Sequence, residues 1–284
     1  MRTLETPEAT LAYDVRGPLP TADGRPPLFM IAAPMGADGF GTLAGYFADR
    51  TVITYDPRGL GRSTRNDGGT EHTPEQNAED VHRIIEAVGG PVEMLASSGG
   101  AVTALALVAA HPRDVTTVVA HEPPLLTLLP DADRAVAAER AVQTAYADKG
   151  WGHGMAAFIA LTSWSGEFTD DFLARPAPDP AAFGLPADDD GNREDPLLSG
   201  VSNPVTAYRP DVQALAAAPT RVVIAVGEES QGLLTGRTTI AVARELGHEA
   251  VVFPGGHGGF LGGEYGQSGK PEAFAAKLRE VLDQ

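Results

Sequence analysis

Short apolar runs alternate with amphipathic stretches along most of the chain. The runs "LFMIAAP" (28–34), "TVITYD" (51–56), "VEMLAS" (92–97), "VTTVVAHE" (115–122), "RVVIAVG" (221–227) and "EAVVFPG" (249–255) are each four to eight apolar or β-branched residues between polar boundaries. Unbroken runs of this length predict strands buried on both faces rather than half-solvated ones. "LAYDVRG" (11–17) alternates apolar and polar positions and predicts an edge-type strand. The intervening stretches carry helix signals. "TPEQNAEDVHRIIEAVGG" places Thr73 as N-cap before Pro74 at the first turn and ends on Gly89 and Gly90. "TTIAVARELGH" and "KPEAFAAKLREVLDQ" predict two more helices. Strands alternating with helices predict a mainly parallel sheet with helices on both faces.

One interval breaks this rhythm. Between Leu125 and Pro219 no strand pattern occurs. Helical stretches such as "ADRAVAAERAVQTAYADKG" adjoin the Pro- and Asp-rich "ARPAPDPAAFGLPADDDGNREDP", which predicts an exposed loop. The interval predicts a helical cap over the strand ends, residues 125–219, inserted into a core of residues 1–124 and 220–284.

Composition narrows the classes. With 284 residues, 43% hydrophobic and 21% charged, the chain suits one large α/β domain with an insertion. A net charge of −17 opposes binding to nucleic acid or to anionic membranes. There are no cysteines, so disulfides and thiolate metal sites are excluded. "MRTLETPEATLAYDV" has no apolar leader core, and "ALALVAA" (104–110) is too short to span a bilayer, so a cytoplasmic location is expected.

The candidate chemistry starts at "VEMLASSGGAVTALALVAAHP" (92–112), where two serines meet a glycine pair at a strand–helix junction. A nucleophile at such a turn sits in a strained backbone and needs small residues two places before and after it. Ser98 has Ala96 and Gly100 there, whereas Ser97 would have Leu95 and Gly99. Ser98 is therefore the candidate nucleophile, with a helix N-terminus that favours negative charge beside it. A plain glycine turn is the competing explanation.

With Ser98 at the elbow, "YDPRGLGRS" (55–63) after one strand and "FPGGHGGF" (253–260) after the last, the chain resembles the α/β-hydrolase family over nearly its whole length. The resemblance implies an α/β fold with an eight-stranded, mostly parallel sheet and a helical cap after strand 6. It also implies a nucleophile–acid–histidine triad. His257, in its glycine-flanked loop, matches the base. The family's usual acid position, after "Gly227-Glu228-Glu229", holds Ser230. A second family position, the end of the sixth strand, holds Glu122 in "AHEPP", so Glu122 is the favoured acid and Glu229 the alternative. Two donors must hold the oxyanion of an attacked carbonyl. The resemblance assigns them to the Gly99 and Ala33 N–H groups, with Met35 as fallback because Pro34 has no N–H. His121, Asp56 and Arg58 are expected to be structural. Trp151, Phe158, Trp164 and Phe168 are candidate walls of an apolar pocket.

The resulting expectation is a serine hydrolase, monomeric or homodimeric, that cleaves a small and largely apolar ester or lactone through an acyl-enzyme. Its small-molecule chemistry needs no metal or organic cofactor. A cofactor-free perhydrolase or haloperoxidase-like enzyme with the same triad, and a non-catalytic small-ligand receptor on the same fold, are the alternatives.

Overall fold

The computed structural model describes residues 1–284. Nine strands form one sheet: β1 (Arg2–Glu5), β2 (Ala9–Arg16), β3 (Leu28–Ala33), β4 (Val52–Tyr55), β5 (Thr64–Arg65), β6 (Val92–Ser98), β7 (Val115–His121), β8 (Arg221–Gly227) and β9 (Val251–Phe253). Eight of them follow the order β1-β2-β4-β3-β6-β7-β8-β9, and the two-residue β5 pairs only with β2. From β4 through β9 every pairing is parallel, while β1, β2 and β5 pair antiparallel. The eight-stranded, mostly parallel sheet expected from the sequence is present. Two details differ. The strand expected at the edge is flanked by β1 on one side and β4 on the other. The run at 249–255 supplies the three-residue edge strand β9, with Val252 exposed, rather than a strand buried on both faces.

Period-two alternation divides the strand residues between two cores. Phe29 and Ile31 of β3 join Met94 and Ala96 of β6 on one face, while Leu28, Met30 and Ala32 join Leu95 on the other. Helices α1 (Gly41–Gly45) and α10 (Pro271–Leu282) cover the second face. Helices α2 (Pro74–Val88), α3 (Gly99–Ala110), α8 (Val212–Ala217) and α9 (Leu234–Glu245) cover the first. The Thr73 side chain caps α2 by accepting from the Gln76 N–H at 3.2 Å, and Gly89 ends it in the left-handed conformation.

Between β7 and β8 there is no strand. This segment contains α4 (Ala132–Lys149), α5 (Trp151–Thr162), α6 (Asp170–Leu173) and α7 (Asn203–Thr206), and α8 returns the chain to the sheet. It has its own apolar cluster, which includes Leu126, Tyr146, Leu161, Phe168 and Leu198. Leu234 of α9 belongs to that cluster too, so the segment is packed onto the sheet-covering layer. Asp131 fixes it further by pairing with Arg237 of α9 and accepting the Phe168 N–H at 2.6 Å.

Candidate active site

β6 ends on Ser98, whose backbone has φ 56° and ψ −128°, and α3 begins at the next residue. A non-glycine residue with positive φ is strained, and the tight turn around it supplies the reason. Gly100 shows how tight that turn is. A Cβ there would lie 2.5 Å from the Ala32 Cα, so the start of α3 closes against β3 only with glycine. The strand–helix hinge lifts the Ser98 side chain out of the sheet, where it is half-buried.

The neighbouring serine faces inward. Ser97 is opposite His121 in the β6–β7 register, and its Oγ is hydrogen-bonded to His121 Nδ1 at 3.1 Å. The His121 ring is fully buried among Phe253, Phe260 and Phe274, and its Nε2 has no partner. Burial pushes its pKa down to about 4, against a counteracting attraction from Glu122, so the ring is neutral at neutral pH.

Immediately after His121 the chain turns through Glu122, again at positive φ (51°). The Glu122 carboxylate is wholly buried and accepts two directed hydrogen bonds. Oε1 takes the Gly227 N–H at 2.8 Å, and Oε2 takes the His257 Nδ1–H at 2.7 Å. Burial alone would raise its pKa. The His257 hydrogen bond, the nearby His121 and His257 rings and the Ser230 hydroxyl outweigh it and hold the carboxyl well below the usual carboxylate range. Ser230, which stands at the usual family acid position, thus contacts the carboxylate of Glu122.

His257 lies on the loop after β9, and its side chain is 44% exposed. That loop meets the end of β8 closely, because a Cβ on Gly227 would lie 2.6 Å from the Gly255 carbonyl oxygen. Ser98 and His257 line the same two cavities without a direct hydrogen bond between them. Such pairs commonly tighten only around substrate. Glu229, the alternative acid, is exposed and pairs with Lys270 at 2.8 Å.

The other expected residues fall as follows. Gly99 opens α3, and Ala33 ends β3 beside Ser98 in register. Met35 tucks its side chain beneath Gly39 and also lines a cavity. Asp56 accepts the Ala37 N–H at 2.8 Å and the Arg62 N–H at 2.9 Å, fixing the loop after β3. Arg58 is buried against Asp80 through bonds of 2.8 and 2.5 Å. Of the four aromatic wall candidates only Phe158 reaches a cavity. Phe168 is buried in the segment's own core, Trp164 packs against Phe172 at a tilt of 54°, and Trp151 donates to Asp195.

Two cavities meet at Ser98 and His257. An outer one of about 840 Å³ runs past Asp56, Arg62 and Tyr265. An inner one of about 690 Å³ lies beneath α4, α5 and α7. Among the polar residues of the inner cavity that the sequence pattern did not single out are the titratable His72 and Glu139. His72 is buried. Glu139 had a readable signal, because it shares a helical face with the buried Ala135, Ala138, Val142 and Tyr146. The one grouping of metal-type donors is His82, His111 and Asp114, partly exposed and at the opposite end of the strands from Ser98, where α3 ends and β7 begins. Each histidine there is already paired with a carboxylate, His82 with Asp114 at 2.6 Å and His111 with Glu79 at 3.1 Å.

A sequence model of the Alpha/beta hydrolase family matches residues 28–277. The uncharacterized hydrolase YraK of Bacillus subtilis (strain 168) is 36% identical over 129 residues, 45% of this chain and 46% of that protein's length. In structure, the chain is similar to a thermophilic esterase from Thermogutta terrifontis, with a TM-score of 0.65 and 19% identity over 100% of this chain and 98% of that one. It is also similar to the enol-lactonase from Burkholderia xenovorans LB400, with a TM-score of 0.61 and 18% identity over 97% of each chain. At these identities the two structures speak for the fold. No helix is long and apolar enough to cross a membrane.

Proposed function

From the premise that this chain belongs to the alpha/beta hydrolase family, we propose that it cleaves a small ester or lactone with Ser98 as nucleophile, His257 as base and Glu122 as acid. One observation carries this reading. A strained, cavity-facing serine stands where a half-exposed histidine, tied at 2.7 Å to a buried carboxylate, also opens.

The Glu122 bond to Nδ1 leaves Nε2 as the free nitrogen of the imidazole, able to take the Ser98 proton. The ionised carboxylate then stabilises the imidazolium. Ser98 Oγ attacks the carbonyl, and the Gly99 N–H at the start of α3 meets the developing oxyanion, with the second donor from the loop at Ala33 or, failing that, Met35. His257 passes the proton to the leaving alcohol, and water resolves the acyl-enzyme through the same base. With cavities on both sides of Ser98, the acyl and alcohol parts each have a place. Residues 125–219 act as the cap over the inner cavity, on a core of residues 1–124 and 220–284.

The test is covalent labelling with a fluorophosphonate alongside turnover of short p-nitrophenyl esters. Ser98→Ala loses both, while Ser97→Ala retains labelling. Labelling that survives Ser98→Ala and vanishes in Ser97→Ala would overturn the assignment of the nucleophile.

A further inference from the structure

The inner cavity has an unusual charge balance for a pocket with apolar walls. Glu139 of α4 shares a helical face with the buried, apolar Ala135, Ala138 and Val142 and with the uncharged Gln143. It lines the cavity that contains Ser98 and His257. No lysine, arginine or histidine lies within ion-pair distance of it, and its neighbour is the Thr206 hydroxyl. No lysine or arginine lines the cavity at all. Glu229 on the same wall is neutralised by Lys270, and burial together with Arg65 and Arg58 holds His72 in its neutral form.

A carboxyl placed among apolar walls without a counter-charge costs free energy in its ionised form, and burial accordingly raises its pKa. A cation arriving in the cavity would remove that cost. A carboxylate ligand would meet no cation there and would face repulsion. We propose that Glu139 is the recognition site for a positively charged amine group on the substrate, so that the inner cavity selects esters or lactones bearing an ammonium at the end of an apolar chain. This proposal rests on the hydrolase reading above and makes the substrate less apolar than the composition of the walls alone implies.

The experiment compares two esters of equal length on the full chain, p-nitrophenyl 6-aminohexanoate and p-nitrophenyl heptanoate. The wild type should favour the ammonium ester in kcat/KM by about tenfold or more, and Glu139→Gln should bring that ratio to about one or below. In parallel, calorimetry with hexylammonium chloride should detect binding to the wild type and to Ser98→Ala, weakened about tenfold or more in Glu139→Gln. Turnover of both esters without ammonium preference overturns the Glu139 site and leaves the hydrolase reading standing. Hexylammonium binding that depends on Glu139, with neither ester hydrolysed, overturns the hydrolase reading and supports the site. Should Glu139→Gln fail to fold, the wild-type ratio and competition by hexylammonium against p-nitrophenyl heptanoate decide the question, and no preference and no competition overturn the proposal.

Discussion

Ser98 and Glu122 share a backbone oddity, φ of 56° and 51°, and both stand at the C-terminal ends of adjacent parallel strands, Ser98 as the last residue of β6 and Glu122 as the first after β7. The side chain leaving each turn is aimed by its neighbours rather than by the strand pleat. For Glu122 the aim is set by the Gly227 N–H and the His257 ring. A neutral amide can still accept from one of these donors, yet it brings no charge to an imidazolium. We therefore expect Glu122→Gln to cost on the order of a hundredfold or more in kcat with folding intact, and Glu229→Gln far less. Steady-state kinetics on a p-nitrophenyl ester checks this, and the reverse order would move the acid to the loop after β8. His121 carries a different expectation. Its pKa is about 4 in the folded chain and near 6.5 in an unfolded one, so the unfolded state binds more protons between these values. Stability should fall as the pH drops from 6.5 to 4, by about 3 kcal/mol from this residue. Thermal melts across that range should show a shallower slope in His121→Phe, with His72 adding in the same direction. Equal slopes would mean that His121 does not carry the effect. At this scale the sequence was informative about Ser98, because the size of residues 96 and 100 is a local matter. The Ser97–His121 bond was not legible, since it depends on the register of two strands 24 residues apart.

Among the elements, most of the apolar runs were legible because their four to eight residues between polar boundaries suit a strand and are too short for a helix. β1 was not, since "RTLE" is almost wholly exposed and owes its strand form to pairing with β2. One close approach that positions the site is that of α3 and β3. At Gly100 a methyl group would press on backbone atoms of Ala32 and Ile31, none of which can rotate away. Gly100→Ala should cost about 1–3 kcal/mol of stability in urea unfolding and should slow ester turnover, because the displaced helix start carries the Gly99 N–H. A variant with wild-type stability and activity would mean that α3 sits more loosely than this packing describes. Gly227 serves two neighbours at once, donating to Glu122 and admitting the loop that carries His257.

For the molecule as a whole, the segment between β7 and β8 is held to the rest by few polar anchors. The Asp131 carboxylate is nearly fully buried, joins Arg237 and accepts the Phe168 N–H. Removing it in Asp131→Ala leaves a guanidinium and an N–H without their partner, which should cost about 3–5 kcal/mol. Asp131→Asn should cost less, because an amide oxygen can still accept. Chemical denaturation measures both, and equal losses would point to the charge rather than the hydrogen bonds. The strandless character of this segment was legible from its composition. The polarity of its inner wall was legible only in part, because the helical face of Glu139 can be read from its buried neighbours but the cavity it lines depends on how the segment packs on the sheet. The pairing of β7 with β8 has a consequence for chain entropy. Thr117 aligns with Arg221, so about a hundred residues must form a closed excursion before these strands can join. The cost of closing such a loop rises only with the logarithm of its length, about 0.6 kcal/mol for each doubling. Lengthening or replacing this excursion is therefore thermodynamically cheap, provided its ends still meet the sheet. The scaffold can exchange the helical segment between β7 and β8 while the strands beside Ser98 and Glu122 stay as they are.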